Sequence, residues 1–376
     1  MLLRNLFMTL CLGASLTLTS ALPANARELK VGVGLPPTHA AQFGMEAFAK
    51  ALKEKSGGEL DVKLFSMSLL SLTQLFAGVR DGVVDAGFVL PPMFASELPE
   101  SQLTVDLAML GTNPYAMAGA MTEYTFSCQE CLAERLKHNH VYLGSASSDP
   151  YWILSTKKIA TLDDLKGKKL RSGAAPWARW AQNFGVIGMS MPGNEIFEAI
   201  SQGTVDGAMI SVTELSALRL IDVVKHVTVG LPGGTYHGVD NSNVNRTTWR
   251  SLTERQRRSM LDAAATTSAA ITWKYVSNGA SNMRDAQQKG LQIHQPAPDV
   301  MEKSRAFIET DLATVAQAAE KNYNIKNANQ KIARFRQLVD KWDKLTPATR
   351  NWDVNSLAEI YQREVFSKID AKSYGM

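Results

Sequence analysis

The sequence has few cysteines, few histidines and no long run of charge of one sign. Three cysteines and six histidines occur in 376 residues, and Lys and Arg outnumber Asp and Glu by 40 to 36. A net charge of +4 without a basic stripe argues against nucleic-acid binding. The chain also has no G-x-S-x-G, P-loop, H-E-x-x-H or G-x-G-x-x-G motif. These absences favour a binding protein with no cofactor and no metal site, and an exported hydrolase is kept as a minor alternative.

An apolar stretch at the start of the chain indicates export. Residues 1–26 contain Arg4, then the apolar segment Leu10 to Leu18, then Ala24-Asn25-Ala26. A positive residue, a short apolar core and an A-x-A site form a secretory signal peptide, whereas a membrane-spanning helix needs about 20 apolar residues. We therefore predict cleavage after Ala26 and release into the periplasm.

Two of the three cysteines stand close together, as Cys128-Gln129-Glu130-Cys131. In an exported protein such a pair predicts a disulfide, and its contribution to stability should be small because it closes a very short loop. The alternative is a zinc site that enlists His138 and His140, although these residues match the usual ligand spacing only approximately.

The segment 161–212 carries the strongest signal for the fold. It alternates short helices and strands that are separated by glycines, in a β-α-β-α-β order. This order predicts an open, largely parallel sheet and therefore an α/β fold. The predicted elements are a helical turn at 162–165, strands at 169–172, 189–191 and 205–210, and helices at 176–184 and 194–201.

Arg171 is the main candidate for ligand binding. It stands at the end of a predicted strand, just before Gly173, and ligands of open α/β sheets bind beyond the carboxyl ends of the strands. A guanidinium is permanently charged and can donate two parallel hydrogen bonds to a carboxylate. An exposed, solvated arginine is the alternative interpretation, but the strand-end position favours an anion site.

Two stretches of the chain repeat one pattern. LFAGVRDGVVDAG at 75–87 and IFEAISQGTVDGA at 196–208 each read as a helix, a glycine stop and V-D before a strand. We infer two lobes of similar build that face each other across a cleft, the alternative being two generic helix-to-strand turns. The predicted division is a signal peptide at 1–26, a first lobe at 27–150 plus about 238–290, and a second lobe at 151–237 plus about 291–376.

A set of residues in the second lobe resembles a known family. These residues are LKGKKLR at 165–171, Trp180, Met191-Pro192, Glu195, Ala199 and GTVDG at 203–207. They are similar to the pattern of the solute-binding receptors of tripartite ATP-independent periplasmic (TRAP) transporters, a family that includes C4-dicarboxylate receptors. The resemblance implies a periplasmic-binding-protein fold with a hinge, a spine helix from about Thr253 to Lys289 and extra C-terminal helices. It also implies that Arg171 holds the carboxylate of the ligand.

The remaining candidate site residues come from neighbouring loops and strands. Some acidic-sugar receptors of the family have a second arginine near the crossover between the lobes, where this chain has Trp152-Ile153-Leu154. That difference suits a ligand with one main carboxylate and an apolar or aromatic body. Trp177 and Trp180 are three apart on one predicted helix, and a core role is favoured for Trp180. The alternatives are helix capping for Glu214 and simple exposure for His39. The predicted ligand-binding residues are Arg171, Trp152, Trp177, Ser211, Glu214, Asn241, Asn243 and His39, with Tyr151 and Trp180 as further aromatic surface.

Together these features predict a periplasmic receptor whose lobes close on a small organic anion. The resemblance implies that the closed form docks on TRAP membrane permease subunits that use an ion gradient. The alternative is a binding protein that feeds a sensor kinase or an ATP-driven importer. The sequence leaves open a C4-dicarboxylate, a keto or hydroxy monocarboxylate or an aromatic acid as ligand, assistance by a cation, and a monomer or a homodimer.

Overall fold

Two mixed β-sheets organise residues 26–376, the part of the chain that the computed structural model describes. The predicted signal peptide lies, apart from Ala26, outside the described residues. The strands are β1 (Arg27–Gly32), β2 (Leu60–Phe65), β3 (Ala86–Val89), β4 (His140–Tyr142), β5 (Ser145–Ala146), β6 (Pro150–Ser155), β7 (Lys169–Ser172), β8 (Ile187–Ser190), β9 (Gly207–Ser211), β10 (His226–Thr235), β11 (Val239–Asn245) and β12 (Gln292–His294).

Helices cover both sheets. Within residues 26–376 no helix combines the length and the apolar character needed to cross a bilayer. The α-helices are α1 (Ala40–Lys55), α2 (Leu75–Arg80), α3 (Pro99–Val105), α4 (Pro114–Ser127), α5 (Gln129–Lys137), α6 (Leu162–Leu165), α7 (Ala175–Asn183), α8 (Ile196–Ser201), α9 (Glu214–Ala217), α10 (Arg246–Ser251), α11 (Glu254–Gln288), α12 (Pro298–Tyr323), α13 (Ala328–Leu345) and α14 (Val354–Glu364).

The strands follow a related order in the two sheets. The first sheet runs β2-β1-β3-β11-β4, with β5 also paired to β11, and the second runs β12-β10-β6-β9-β7-β8. In the second sheet β9, β7 and β8 are parallel neighbours, as the alternation at 161–212 predicts. The predicted α/β class with two sheets is confirmed. The predicted strand at 189–191 begins two residues too late, because Ile187 and Gly188 already pair with β7.

Two of the three segments that connect the sheets lie side by side, and the third contains α11. Of the two adjacent segments, one joins β5 to β6 and the other joins β10 to β11. Their backbones are bonded to each other: the amide of Ser148 donates to the carbonyl of Tyr236 at 2.9 Å, and the amide of Tyr236 donates to Oγ of Ser148 at 3.0 Å. These bonds tie the two crossover segments together.

Helix α11 spans the two halves of the molecule. It begins with a capping box of Thr253 and Gln256, and its 35 residues correspond to about 52 Å at 1.5 Å per residue. It packs closely on α1, where a Cβ on Gly44 would lie 2.1 Å from the side chain of Ile271. Near its other end, Asn282 donates to the carbonyl oxygens that follow β9. The helix therefore contacts both lobes.

The C-terminal helices differ from the sequence prediction. We expected residues 291–376 on the second lobe, and α12 does begin there, with Val300 in the second core. Its later residue Val315 belongs to the first core, as do α13 and α14. Trp342 of α13 packs against α4, where Gly119 leaves room for the indole, and its Nε1 donates to Glu123 at 2.7 Å. The assignment of α13 and α14 to the second lobe is therefore wrong.

The Cys-x-x-Cys segment separates two helices. Cys128 has extended backbone between α4 and α5, and its sulfur accepts a hydrogen bond from the amide of Cys131 at 3.1 Å. The two buried cysteines are joined by a disulfide. His140, which the zinc alternative would enlist, is hydrogen-bonded at Nε2 to the carbonyl of Phe76 at 2.9 Å.

Candidate ligand-binding site

Arg171 lies on β7 between two parallel neighbours, in register with Met189 of β8 and Ala208 of β9. The residue is only 7% exposed, and its Nε donates to the carbonyl of Met191 at 3.2 Å. One terminal nitrogen, NH1, has no hydrogen-bond partner within residues 26–376. A buried charge that lacks a partner is costly, so this nitrogen is suited to an anion. Gly173 makes room for the guanidinium, since a Cβ there would lie 2.7 Å from NH1.

Three aromatic rings lie beside this arginine. Tyr151 and Trp177 are stacked with ring centroids 4.1 Å apart, and Tyr236 lies 6.1 Å and 6.0 Å from them in nearly parallel planes. Nε1 of Trp177 donates to the carbonyl of Gly233 at 2.9 Å, which fixes the indole. Burial raises the pKa of both tyrosines, and the charge of Arg171 opposes the rise in each. Tyr151, Trp177 and Tyr236 thus form an aromatic wall beside the guanidinium.

A carboxylate follows the adjacent strand β9. Glu214 is 5% exposed, its Oε1 lies 3.6 Å from Nε2 of His39, and its Oε2 has no hydrogen-bond partner in the described part of the chain. Nδ1 of His39 accepts the amide of Ala41 at 3.0 Å, so the proton of a neutral His39 is on Nε2. The Tyr275 hydroxyl lies 3.1 Å from the same Nε2. Residues from both lobes and from α11 thus meet at this carboxylate.

A second carboxyl group lies close by, at the crossover from β5 to β6. Asp149 is buried, and Ser211 at the end of β9 donates a short hydrogen bond to its Oδ1. Burial raises the pKa of Asp149 to about 7, and the charge of Glu214 adds to this rise. The hydrogen bond from Ser211 acts in the opposite direction and lowers the pKa. Within residues 26–376 no group of three or more His, Cys, Asp or Glu side chains is arranged to hold a metal ion.

Five of the predicted site residues are brought together. Trp177 stacks on the ring of Tyr151, and the charge of Arg171 acts on the Tyr151 hydroxyl. Ser211 pairs with Tyr151 across β6 and β9, and Glu214 and His39 follow at the junction of the lobes. The set is a continuous polar and aromatic cluster at one edge of the second sheet.

Three predicted residues lie elsewhere. Trp152 is next to Tyr151 on β6, so it faces the opposite side of the sheet, where it packs on the second core. The amide of Asn241 donates to Ser268 of α11 at 2.6 Å, and that of Asn243 donates to Asp240 at 3.0 Å. Both asparagines are fully buried in the first lobe, where Oδ1 of Asn243 has no hydrogen-bond partner among the described residues. Because the contacts of these three residues are not with Arg171 or Glu214, we leave them out of the proposed site.

Sequence reasoning did not select three members of the cluster. Asp149 precedes Pro150 in a crossover that resembles an ordinary turn, and Tyr236 follows a glycine-rich loop. Tyr275 lies in the middle of α11, four residues after the core residue Ile271 and at core spacing. None of these positions carries a motif, and they meet only because both crossovers and α11 pass the same point.

The chain matches a family model over most of its length. The model of the bacterial extracellular solute-binding protein, family 7 (DctP) covers residues 32–321. A solute-binding protein from Albidiferax ferrireducens is 23% identical over 223 residues, which are 58% of this chain and 64% of that protein. This match therefore spans less than two thirds of the relative's length.

Solved structures share the fold at low sequence identity. A marine metagenome TRAP solute-binding protein specific for aromatic acid ligands, in complex with metahydroxyphenylacetate, has a TM-score of 0.75 and 20% identity, over 84% of this chain and 99% of that one. A Bordetella pertussis extracytoplasmic solute receptor binding pyroglutamic acid has a TM-score of 0.70 and 21% identity, over 83% and 100%. The predicted resemblance to TRAP receptors is confirmed. Since the family model covers well over half of the 376 residues, the chain belongs to family 7 of the bacterial extracellular solute-binding proteins, whose members are receptors and not enzymes.

Proposed function

We propose that this protein is the extracytoplasmic receptor of a TRAP transporter and that Arg171 holds the carboxylate of a small organic acid. The observation that carries the proposal is the guanidinium of Arg171, which is 7% exposed and whose NH1 has no partner among the described residues. A carboxylate at NH1 would supply the missing acceptor and the opposite charge. Exclusion of water between the lobes strengthens such a pair, because the interaction of charges grows as the dielectric falls.

The surroundings of Arg171 favour a ligand with one carboxylate over a ligand with two. Arg179, on the helix that follows β7, is already committed to Asp311, to which it donates at 2.8 to 3.0 Å. The rings of Tyr151, Trp177 and Tyr236 lie in nearly parallel planes, and Tyr236 is the one that is not fully buried. A planar or cyclic ligand body suits contact with such rings. The related receptors bind metahydroxyphenylacetate and pyroglutamic acid, which are both monocarboxylates with a ring. We therefore place a cyclic or aromatic monocarboxylate ahead of a C4-dicarboxylate.

The place and partners of the receptor follow from its family. Family 7 receptors are extracellular, which agrees with the signal peptide predicted at residues 1–26. The loaded protein would deliver its acid to TRAP permease subunits in the inner membrane. Uptake of the bound acid by vesicles that contain the permease, with an ion gradient and no ATP, would test this part of the proposal.

A binding experiment tests the role of Arg171. Organic acids are first screened by thermal shift, since a ligand that binds the native state raises the melting temperature. Affinity is then measured by calorimetry for the wild type, Arg171→Ala and the control Arg219→Ala, which removes an exposed arginine of the same lobe. Breaking a buried ion pair costs roughly 3–5 kcal/mol, or about two to three and a half decades in affinity.

Arg171→Lys refines the same test. It keeps the charge but loses the planar fork, so it should also bind weakly. An Arg171→Ala protein that binds as tightly as Arg219→Ala would contradict the proposed role of Arg171.

A further inference from the structure

One carboxylate oxygen of Glu214 accepts no hydrogen bond from the described part of the chain. The side chain is 5% exposed, and Oε2 has no hydrogen-bond partner within residues 26–376. Its other oxygen, Oε1, lies 3.6 Å from Nε2 of His39. A buried carboxylate oxygen without a donor carries a desolvation cost that a hydrogen bond removes.

Glu214 and Arg171 lie at the same edge of the second sheet. Strands β7 and β9 are adjacent and parallel, with Arg171 in register with Ala208, and Glu214 follows the end of β9. Tyr151 pairs with Ser211 on the other side of β9. Burial raises the pKa of the Tyr151 hydroxyl, the charge of Arg171 lowers it, and the charge of Glu214 raises it further. The charges of Arg171 and Glu214 therefore both act on the hydroxyl of Tyr151.

Three polar side chains near Glu214 have other hydrogen-bond partners. The hydroxyl of Ser211 is bonded to Asp149 and that of Thr213 to the carbonyl of Tyr275, at 2.7 Å in the second case. Nε2 of His39 faces Oε1 and the Tyr275 hydroxyl. A donor on the molecule that Arg171 binds would supply the partner that Oε2 lacks among the described residues.

We propose that the ligand carries, besides its carboxylate, a hydrogen-bond donor that Glu214 accepts, either a hydroxyl or an N–H group. NH1 of Arg171 and Oε2 of Glu214 are two of the eight buried side-chain atoms that lack a hydrogen-bond partner in the described part of the chain, and they then bind the two ends of one molecule. Glu214 sets specificity by rejecting acids that lack the donor, because such acids leave its oxygen buried and unpaired. This inference rests on the proposed function, since it takes the carboxylate at Arg171 as given.

The test uses matched acids that differ in the donor alone. Propionate, phenylacetate and benzoate are each compared with a hydroxyl counterpart (lactate, mandelate, 3-hydroxybenzoate) and an amine counterpart (alanine, phenylglycine, 3-aminobenzoate). Affinities for the wild type are measured by calorimetry. For the skeleton that binds best, we expect a donor-bearing acid to bind about tenfold or more tightly than its parent. The hydroxyl and amine arms show which donor the site prefers.

Two variants locate this preference at Glu214. Glu214→Met keeps the length and removes the acceptor, so the preference should fall to within about twofold. Glu214→Gln keeps an acceptor of the same shape without the charge, and it should keep part of a preference for a hydroxyl but lose one for an ammonium group. Glu198→Met, which changes an exposed glutamate of the same lobe, should leave the preference unchanged. Melting curves of the ligand-free variants verify that each is folded.

The outcomes separate this inference from the proposed function. A library in which no acid binds the wild type would contradict both. Acids that bind through Arg171, yet with equal affinity whether or not they carry a donor, would overturn the inference alone. A donor preference that survives in Glu214→Met would also overturn it, because the donor would then be recognised elsewhere.

Discussion

Nε2 of His39 lies 3.6 Å from Oε1 of Glu214, and the two residues adjoin different sheets. His39 precedes α1 beside the first sheet, whereas Glu214 follows the last residues of β9 in the second sheet. Tyr275 of α11 lies 3.1 Å from the same nitrogen. The contact joins the two lobes and the spine helix at a single imidazole.

Substitution of His39 should separate its two roles. His39 also caps α1 through Nδ1, so His39→Ala should lower the free energy of unfolding by about 1 kcal/mol. His39→Asn supplies another capping acceptor and should restore most of that loss. Both variants lack the contact with Glu214, so both should bind ligand about fivefold more weakly, the equivalent of about 1 kcal/mol.

Urea denaturation and calorimetry measure the two effects of the His39 variants. An asparagine variant with wild-type stability and wild-type affinity would show that the contact across the cleft contributes nothing to the bound state. An asparagine variant as unstable as His39→Ala would show that the cap is not the source of the stability loss.

The second lobe was predictable because its signals are local. Each helix of the segment 161–212 ends at a glycine, and each strand is a short run between such stops, so the pattern does not depend on distant residues. The C-terminal helices carry a different kind of signal. The apolar stripe of α13, which includes Phe335 and Trp342, shows that one face is buried. A stripe does not specify its partner, and the partner is α4.

The candidate site was predictable only in part, for a comparable reason. Arg171 was found because a strand end is visible in the sequence. Asn241 and Asn243 are two residues apart, so on a regular strand they would share one face. The ladder between β3 and β11 is irregular between Asp240 and Asn243, and the two side chains bond to different partners. No pattern in the sequence predicts this irregularity of the ladder.

Trp177 and Trp180 form a matched pair that tests the aromatic wall. Both are fully buried on α7, and each indole has one hydrogen bond, Trp177 to the carbonyl of Gly233 at 2.9 Å and Trp180 to Ser304 at 2.8 Å. Substitution of either by Phe should destabilise the protein by about 1–3 kcal/mol, because a buried polar group loses its partner. Only Trp177 stacks on Tyr151, so only Trp177→Phe should weaken ligand binding.

Calorimetry and urea denaturation of the two tryptophan variants give a direct comparison. Equal losses of affinity in Trp177→Phe and Trp180→Phe would show that the effect comes from the core and not from the site.

The Cys128–Cys131 disulfide should contribute little to stability. It closes a loop of four residues, for which the loss of chain entropy corresponds to about 2 kcal/mol. Serine at both positions keeps a capping acceptor for α5 at position 128, where the sulfur now accepts the amide of Cys131. The double serine variant should therefore lose about 2 kcal/mol or less in urea denaturation. A loss above 4 kcal/mol, or two free thiols in the denatured, unreduced wild type, would contradict this account of the pair.

Asp149 should make the stability of the protein depend on pH. Burial raises its pKa to about 7 from 3.8, and the charge of Glu214 adds to the rise. Below pH 4 both the native and the unfolded chain hold this proton. Between pH 4 and pH 7 only the native chain holds it, so the wild type loses stability as pH rises through this window, and the loss stops above pH 7. A shift of about three units corresponds to roughly 4 kcal/mol.

Comparison with Asp149→Asn isolates this effect. The asparagine keeps an acceptor for Ser211 but does not titrate, and the other groups near Asp149, which include Glu214, Tyr151 and Tyr275, are present in both proteins. The free energy of unfolding of the variant minus that of the wild type should rise by up to roughly 4 kcal/mol between pH 4 and pH 7 and then stay level. Urea denaturation at pH 4, 5.5, 7 and 8 measures this difference. If the difference is the same at all four values, the native and unfolded chains hold this proton equally at each pH, and burial does not raise the pKa of Asp149.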